Sequence, residues 1–258
     1  MKISIVTATF NSSKTLEDTI KSVLSQTYHD IEYIVVDGAS KDGTMDIVRK
    51  YEPMFNGRMK WVSEKDKGIY DAMNKGIRLA SGDVVGLLNS DDFYKNNDVI
   101  ERVANEFEKD LSLDCTFADL CFVDKTDTSK IVRYYSGKNW KPSKLRFGQA
   151  PPHPTFYCKR ELYEKYGYYR LDYQIAADHE LLTRFLLVNG IKYKYIPMNM
   201  ICMRVGGEST KNWHNVLIVN NKEQVKACRD NGVNTCLFNV MLKYFPKVWN
   251  LIFHNKSK

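Results

Sequence analysis

In the first 95 residues, short apolar runs alternate with amphipathic helical stretches, and this alternation restricts the fold more than any other feature of the chain. "KISIVTA", "IEYIVVD" and "DVVGLLN" are continuous apolar runs, too short for helices of their own, of the kind that form strands buried on both faces; "MKWVSE" is a weaker one. Between them, Leu16, Ile20, Val23 and Leu24 fall at helical spacing, with Ser12 or Ser13 available as a cap. Thr44 to Tyr51 makes a short helix after the turn "ASKDG". Ile69, Ala72, Met73, Gly76, Ile77 and Ala80 repeat as one apolar helix face. The pattern predicts an α/β fold, Rossmann-like, with a mostly parallel sheet and helices on both faces.

The second half is less regular. Asn96 to Lys109 reads as a helix, and "CTFADLCFV" and "KIVRYY" as strands around the turn "DKTDTS". A loop with "QAPPHPTF" leads to helices near Arg160–Tyr166 and Asp178–Val188. "KYKYIP" and "MNMICMRV" read as two strands, followed by "GGEST" and a polar helix from Asn212 to about Asp230. With no internal repeat and no low-complexity linker, the chain is expected to form one domain with two functional halves.

Charge and cysteine usage narrow the class. The net charge is +7, but four of those charges are lysines at 243, 247, 256 and 258, in a stretch after Leu237 that has no acidic residue. The remainder lacks a dense basic run, which argues against a nucleic-acid binder. Six cysteines, none in a C-x-x-C pair, suit buried free thiols in a reducing compartment. The apolar run of "MKISIVTATF" is broken by Thr7 and Thr9, too short for a signal-peptide core, and no stretch reaches the roughly 20 apolar residues of a membrane span. The expectation is a cytoplasmic body.

Polar residues gather where such a sheet would use them. Thr7 and Thr9, Asp37, and Asn89 to Asp92 follow the carboxyl ends of successive strands, the edge where open α/β sheets bind ligands. Read alone, Asp91 and Asp92 make a solvated turn capping the next helix. At a ligand-binding edge, a hard dication such as Mg²⁺ or Mn²⁺ would offset their repulsion and bridge to phosphates. Asp37 could accept hydrogen bonds from a ribose hydroxyl or a base N–H, or be an ordinary turn residue. Neither G-x-G-x-x-G nor a Walker lysine motif is present.

The stretch "ISIVTATFNSSKTLEDTIKSVLSQTYHDIEYIVVDGASKDGT", with "NSDD" at 89–92, closely resembles the opening of family 2 glycosyltransferases. The resemblance is strong over about the first 95 residues and looser to about Thr210. It implies a GT-A fold, a nucleoside-diphosphate sugar donor with UDP favoured, a divalent metal (Mn²⁺ or Mg²⁺), and inversion at the anomeric carbon. By position, Thr7, Thr9 and Asp37 would lie at the nucleoside, Asp92 on the metal, and Asp91 on the metal, ribose or sugar. Asn89 stands where many relatives carry a carboxylate.

"SEKDKGIYDAMNKGIRLASGD" is similar to a subgroup that acts on polysaccharide or lipid-linked oligosaccharide precursors. There Asp66, Lys67 and Asp71 fall near the donor, Asp66 foremost because it precedes the Gly68 turn. "QIAADHELLTRF" resembles the family's E-D motif with Ala177 in place of the glutamate, which makes Asp178 the base, with His179 or Glu180 as fallback. His153 in "PPHPTF" and His179 are acceptor candidates. Arg204 before "GGEST" resembles a donor-closing loop, where Arg204 or Lys211 would meet the diphosphate. The implied organisation is 1–95 for the nucleotide sugar, 96–210 for acceptor and base, and 211–258 as a helical C-terminal tail.

In that tail Asn239, Lys243, Lys247, Asn250 and His254 form one polar stripe on an otherwise apolar Leu237–Phe253, with Pro246 as a kink. This reads as an amphipathic helix on the inner face of the cell membrane, its lysines reaching anionic headgroups. The alternative packs it on the body or on a second copy, as a homodimer. Two other classes stay open: a sugar nucleotidyltransferase, which would want a glycine-rich loop after the first strand, and a non-catalytic carbohydrate-binding relative.

Overall fold

The computed structural model describes residues 1–206 and 213–244. They fall into two compact units: Met1–Lys138, Pro151–Tyr169 and 192–206 form the first, and Asn139–Ala150, Arg170–Ile191 and 213–244 the second.

The first unit holds a nine-stranded sheet. Strands β1 (Ile3–Thr9), β2 (Ile31–Asp37), β3 (Met59–Ser63) and β4 (Val84–Leu87) stand in the order β3-β2-β1-β4, all parallel. Both residue sets of β1 and β2 are buried, as their unbroken apolar runs require. On one face, Ile3, Ile5, Tyr33 and Val35 pack with Leu16, Ile20 and Val23 of α1 (Leu16–Leu24), Val48 of α2 (Thr44–Tyr51) and Val103 and Phe107 of α4 (Val99–Lys109). On the other, α3 (Ile69–Leu79) comes so close that a Cβ on Gly76 would stand 2.2 Å from Val6 Cγ1 and 3.3 Å from Val36 Cγ2.

Beyond β4 the sheet is mixed. β8 (Tyr157–Lys159) inserts antiparallel between β4 and β6 (Cys115–Val123), and β9 (Tyr193–Arg204) runs parallel to β6. β5 (Phe93–Tyr94) and β7 (Ile131–Tyr135) add antiparallel edges. The two strands expected around Pro197 are one. Its register on β6 jumps from Ala118↔Ile196 to Asp119↔Asn199, so Pro197 and Met198 bulge out and the ladder resumes beyond them. The serine cap expected for α1 is also absent. Thr15 precedes the helix without a side-chain cap, and the main-chain carbonyl of Ser12 accepts from the Leu16 N–H. Five cysteines are buried and free as expected, whereas Cys236 is exposed.

In the second unit, α6 (Ala177–Leu182) widens into a π-helical turn over Thr183–Val188 that buries Phe185 and Leu186. α7 (Trp213–Asp230) and α8 (Leu237–Met241) follow. Most of the amphipathic-tail expectation falls at 245–258, outside the described residues, as does Lys211. Among the described residues no helix is long and apolar enough to cross a membrane.

Candidate active site

The carboxyl ends of β1, β2 and β3 stop in register, Thr9 beside Asp37 and Asp37 beside Ser63. Asp37 is fully buried, and its carboxylate accepts from the Ser40 N–H (3.0 Å), the Ser40 hydroxyl and the Ser63 hydroxyl (2.6 Å). A buried charge needs such donors, and here they also fix its orientation. Thr9 is 4% exposed, yet its hydroxyl has no hydrogen-bond partner among the described residues, a cost of about 1–3 kcal/mol that a polar ligand would relieve. Thr7 differs: its hydroxyl accepts from the buried Tyr33 phenol at 3.1 Å and belongs to the interior.

The loops after these strands are tied together. The Asn11 N–H donates to Ser40 Oγ (2.7 Å), the Lys41 N–H to Asn11 Oδ1 (3.0 Å), and the Ser12 N–H to Thr44 Oγ1 (2.8 Å). Ser12 Oγ also meets Ser90 Oγ at 2.9 Å, joining the β1 loop to the turn after β4. Asp66 leans over the β2 loop, with Oδ2 2.5 Å from where a Cβ on Gly38 would be. Its Oδ1 accepts from the Gly68 N–H at 2.8 Å. The Lys67 N–H donates to Asp71 at 3.0 Å, which sets the entry to α3.

After β4 the chain closes a turn with the Asp92 N–H donating to the Asn89 carbonyl at 3.1 Å. Asp92 is 1% exposed, and its Oδ2 accepts from Asn89 Nδ2 at 3.1 Å. Burial first, then the neighbouring Asp91 charge, pushes the Asp92 carboxyl well above the usual carboxylate range, against the pull of Asn89 and Arg204. Burial raises Asp91 as well. Two adjacent, mutually repelling carboxylates, Asp92 buried and Asp91 half-buried, supply oxygen ligands alone and fit a hard dication. Among the described residues no group of three or more His, Cys, Asp or Glu side chains forms a metal cage, so such an ion would complete its shell with water and substrate oxygens.

Arg204 ends β9 with its guanidinium already engaged: Nη1 donates to the Asp91 carbonyl and Nη2 to the Asp18 carboxylate. His153 Nε2 lies 2.8 Å from the Tyr169 hydroxyl. The Tyr169 main chain is bonded twice to Asn74 of α3, at 2.8 and 2.9 Å. A cavity of about 190 Å³ lined by Lys2, Glu32, Arg58 and Lys60 lies at the opposite, amino-terminal end of β1–β3 and holds none of these residues.

Within the second unit, Asp178 stands in the first turn of α6 and its Oδ1 accepts from the His179 N–H at 2.7 Å. The segment before it is gripped by Glu223 of α7, whose carboxylate accepts from the N–H groups of Gln174 (2.7 Å), Ile175 (2.9 Å) and Ala176 (2.9 Å). Of the fallback bases, Glu180 is 1% exposed and paired with Arg184 at 2.8 Å. His179 is 2% exposed, and burial, followed by the Lys243 ammonium, lowers its pKa to about 4 against a pull from the Leu145 carbonyl.

Sequence reasoning missed Ser40, Ser63, Asp18 and Glu223. Only Ser40 had a local signal, standing three residues after an aspartate in a glycine-bearing turn. The others act across long stretches of chain.

The glycosyl transferase family 2 profile matches residues 4–168. This chain belongs to glycosyl transferase family 2. An uncharacterized glycosyltransferase of Mycobacterium tuberculosis is 35% identical over 188 residues, 72% of this chain and 69% of that protein. Among solved structures, S. aureus TarS 1-349 in complex with UDP superposes with a TM-score of 0.65 at 20% identity, covering 87% of this chain and 66% of that one. The mannosyltransferase PcManGT from Pyrobaculum calidifontis, in complex with GDP-Man and Mn²⁺, gives 0.65 at 19% identity, covering 87% and 64%. The chain spans 40% of a longer TarS chain. The shared fold is GT-A, and the family 2 chain is a glycosyltransferase.

Proposed function

We propose that this family 2 enzyme transfers a sugar from a UDP-sugar to a hydroxyl of a saccharide or lipid-linked saccharide, with inversion, in the synthesis of cell-surface polysaccharide. The observation that carries the reading is the partnerless buried hydroxyl of Thr9 beside the oriented carboxylate of Asp37, at the same sheet edge as the Asp91–Asp92 turn. Thr9 and Asp37 would bind the nucleoside, and Asp66, against the Asp37 loop, the donor's ribose or sugar. UDP in the TarS structure and Mn²⁺ in that of PcManGT support a nucleotide-sugar donor and a metal. Asp92 and Asp91 would hold Mn²⁺ or Mg²⁺, whose chemistry is to neutralise the leaving diphosphate.

Asp178 is the proposed base, taking the proton of the acceptor hydroxyl as its oxygen attacks. Its backing is the resemblance of its segment to the family's E-D motif, together with the commitment of Glu180 to Arg184 and the burial of His179. His153 is the candidate acceptor contact in the first unit. The tail, with four lysines and no acidic residue after Leu237, is proposed to rest on the inner membrane surface; Leu237, Phe238, Met241 and Leu242 are exposed apolar side chains at its described start.

The first experiment is incubation with a panel of UDP- and GDP-sugars and Mn²⁺, following release of the nucleoside diphosphate. One sugar nucleotide should be hydrolysed slowly, and EDTA should stop it. Asp92→Ala and Asp178→Asn should each lower transfer by at least about 10³-fold while the protein stays folded. Near-normal turnover in either variant removes that residue from its role.

A further inference from the structure

Arg204 was expected to meet the donor diphosphate, but the fold gives its guanidinium other partners. Its side chain is 7% exposed, and its two terminal nitrogens donate to the Asp91 carbonyl and the Asp18 carboxylate. Its Cζ lies over Phe93, 5.1 Å from the ring centroid. The next carbonyl along the turn, that of Asp92, accepts from the Thr19 hydroxyl at 2.7 Å. Asp18 and Thr19 are consecutive on α1, and Asp91 and Asp92 are consecutive in the turn. One helix therefore holds both carbonyls, the first through Arg204 and the second directly.

We infer that Arg204 and Thr19 are positioning residues, which clamp the backbone of the Asp91–Asp92 turn so that its carboxylates keep a metal-binding orientation, and that Arg204 is not a ligand of the diphosphate. The inference rests on the reading that those carboxylates hold a dication. Left to themselves, two adjacent carboxylates in a half-buried turn rotate apart, because separation lowers their repulsion. Fixing the two carbonyls removes the backbone rotations that this needs. A planar, forked guanidinium can reach a carbonyl and a carboxylate at once while lying over a ring. A lysine ammonium carries the same charge but cannot reproduce that bridge.

The test uses the whole 258-residue chain and the variants Arg204→Lys, Asp18→Asn and Thr19→Val, each checked for a native circular dichroism spectrum. Mn²⁺ binding is measured by electron paramagnetic resonance in saturating UDP, and UDP binding by calorimetry in EDTA. Arg204→Lys should weaken Mn²⁺ binding about 10- to 100-fold, the range for residues that orient metal ligands. The other two variants should weaken it in the same direction by a smaller factor. UDP binding in EDTA should stay within about twofold for all three, since none would touch the nucleotide. A fall in UDP affinity in EDTA for Arg204→Lys, with Mn²⁺ affinity unchanged, makes Arg204 a diphosphate ligand and overturns the inference. Wild-type Mn²⁺ binding that survives all three substitutions overturns it too, while leaving the metal reading intact. Wild-type protein that binds no Mn²⁺ in saturating UDP overturns the metal reading and the inference together.

Discussion

Asn89 stands where the resemblance to family 2 implies a carboxylate, and the fold gives the amide a physical meaning. The Asn89 amide donates to Asp92 Oδ2 at 3.1 Å, where a carboxylate would repel it. Asn89→Asp should therefore lose about 2–4 kcal/mol of stability in EDTA, the scale of a like-charge contact at intermediate dielectric. Saturating Mn²⁺ and UDP should recover most of that loss. Thermal melts of both proteins with and without metal check this, and an equal deficit in both conditions rules it out. From sequence, Asn89 stood out only as a missing charge, because its partner three residues on lies in a turn whose closure the pattern does not encode. Thr9, Asp37 and the acidic pair were legible because strand ends are readable from apolar runs. Asp18 and Arg204, 186 positions apart, were not legible as partners, since no local pattern pairs them.

At the scale of elements, what local periodicity encodes was read closely: α2 and α5 (Arg160–Tyr166) have the expected bounds, and the first four strands fall on the four apolar runs. Pairing was harder. β8 has three residues and β5 two, too few to show a period, and nothing local says that β8 runs antiparallel between β4 and β6. Pro197 split β9 in the reading because a proline ends a ladder locally, whereas the strand resumes after a bulge. Gly76 was read as one position of α3's apolar face, but its lack of a side chain is what lets α3 approach β1. In an isolated helix Gly→Ala gains about 1 kcal/mol. Here the new Cβ meets Val6, whose branched side chain cannot move aside without shifting a central strand. Gly76→Ala should thus destabilise by about 1–3 kcal/mol in urea unfolding. It should also weaken UDP binding, because α3 carries the Asp66–Gly68 turn at its start. A stabilised variant contradicts the close approach.

Across the molecule, two buried ionisable groups in different units predict acid unfolding in two steps. His179, in the second unit, has its pKa lowered from 6.5 to about 4. Between those values the unfolded chain takes up a proton that the folded unit refuses, so stability falls as pH drops from about 6.5 to 4, by about 3 kcal/mol in all. Glu32, at the amino end of β2 in the first unit, is 2% exposed. Burial alone would raise its carboxyl. Bonds from Lys60 (2.7 Å), the Ser81 N–H (2.7 Å) and the Ser4 and Ser81 hydroxyls (2.7 and 2.8 Å) outweigh that and hold it at about 2. Its contribution is full above its ordinary value of 4.5 and is lost as pH falls from there toward 2. Stability measured by urea unfolding should therefore begin to fall below pH 6.5 as His179 titrates, against the opposing proton uptake of the raised Asp91 and Asp92 carboxyls, and fall again below 4.5. His179→Gln, which cannot take the proton, should flatten the first limb and leave the second. Glu32→Gln should lower stability at neutral pH and make the second limb shallower, the rest of that limb belonging to other carboxylates held low by hydrogen bonds, Asp42 and Asp172 among them. An unchanged first limb in His179→Gln would show that another group controls it, and that the second unit does not begin acid unfolding through this ring.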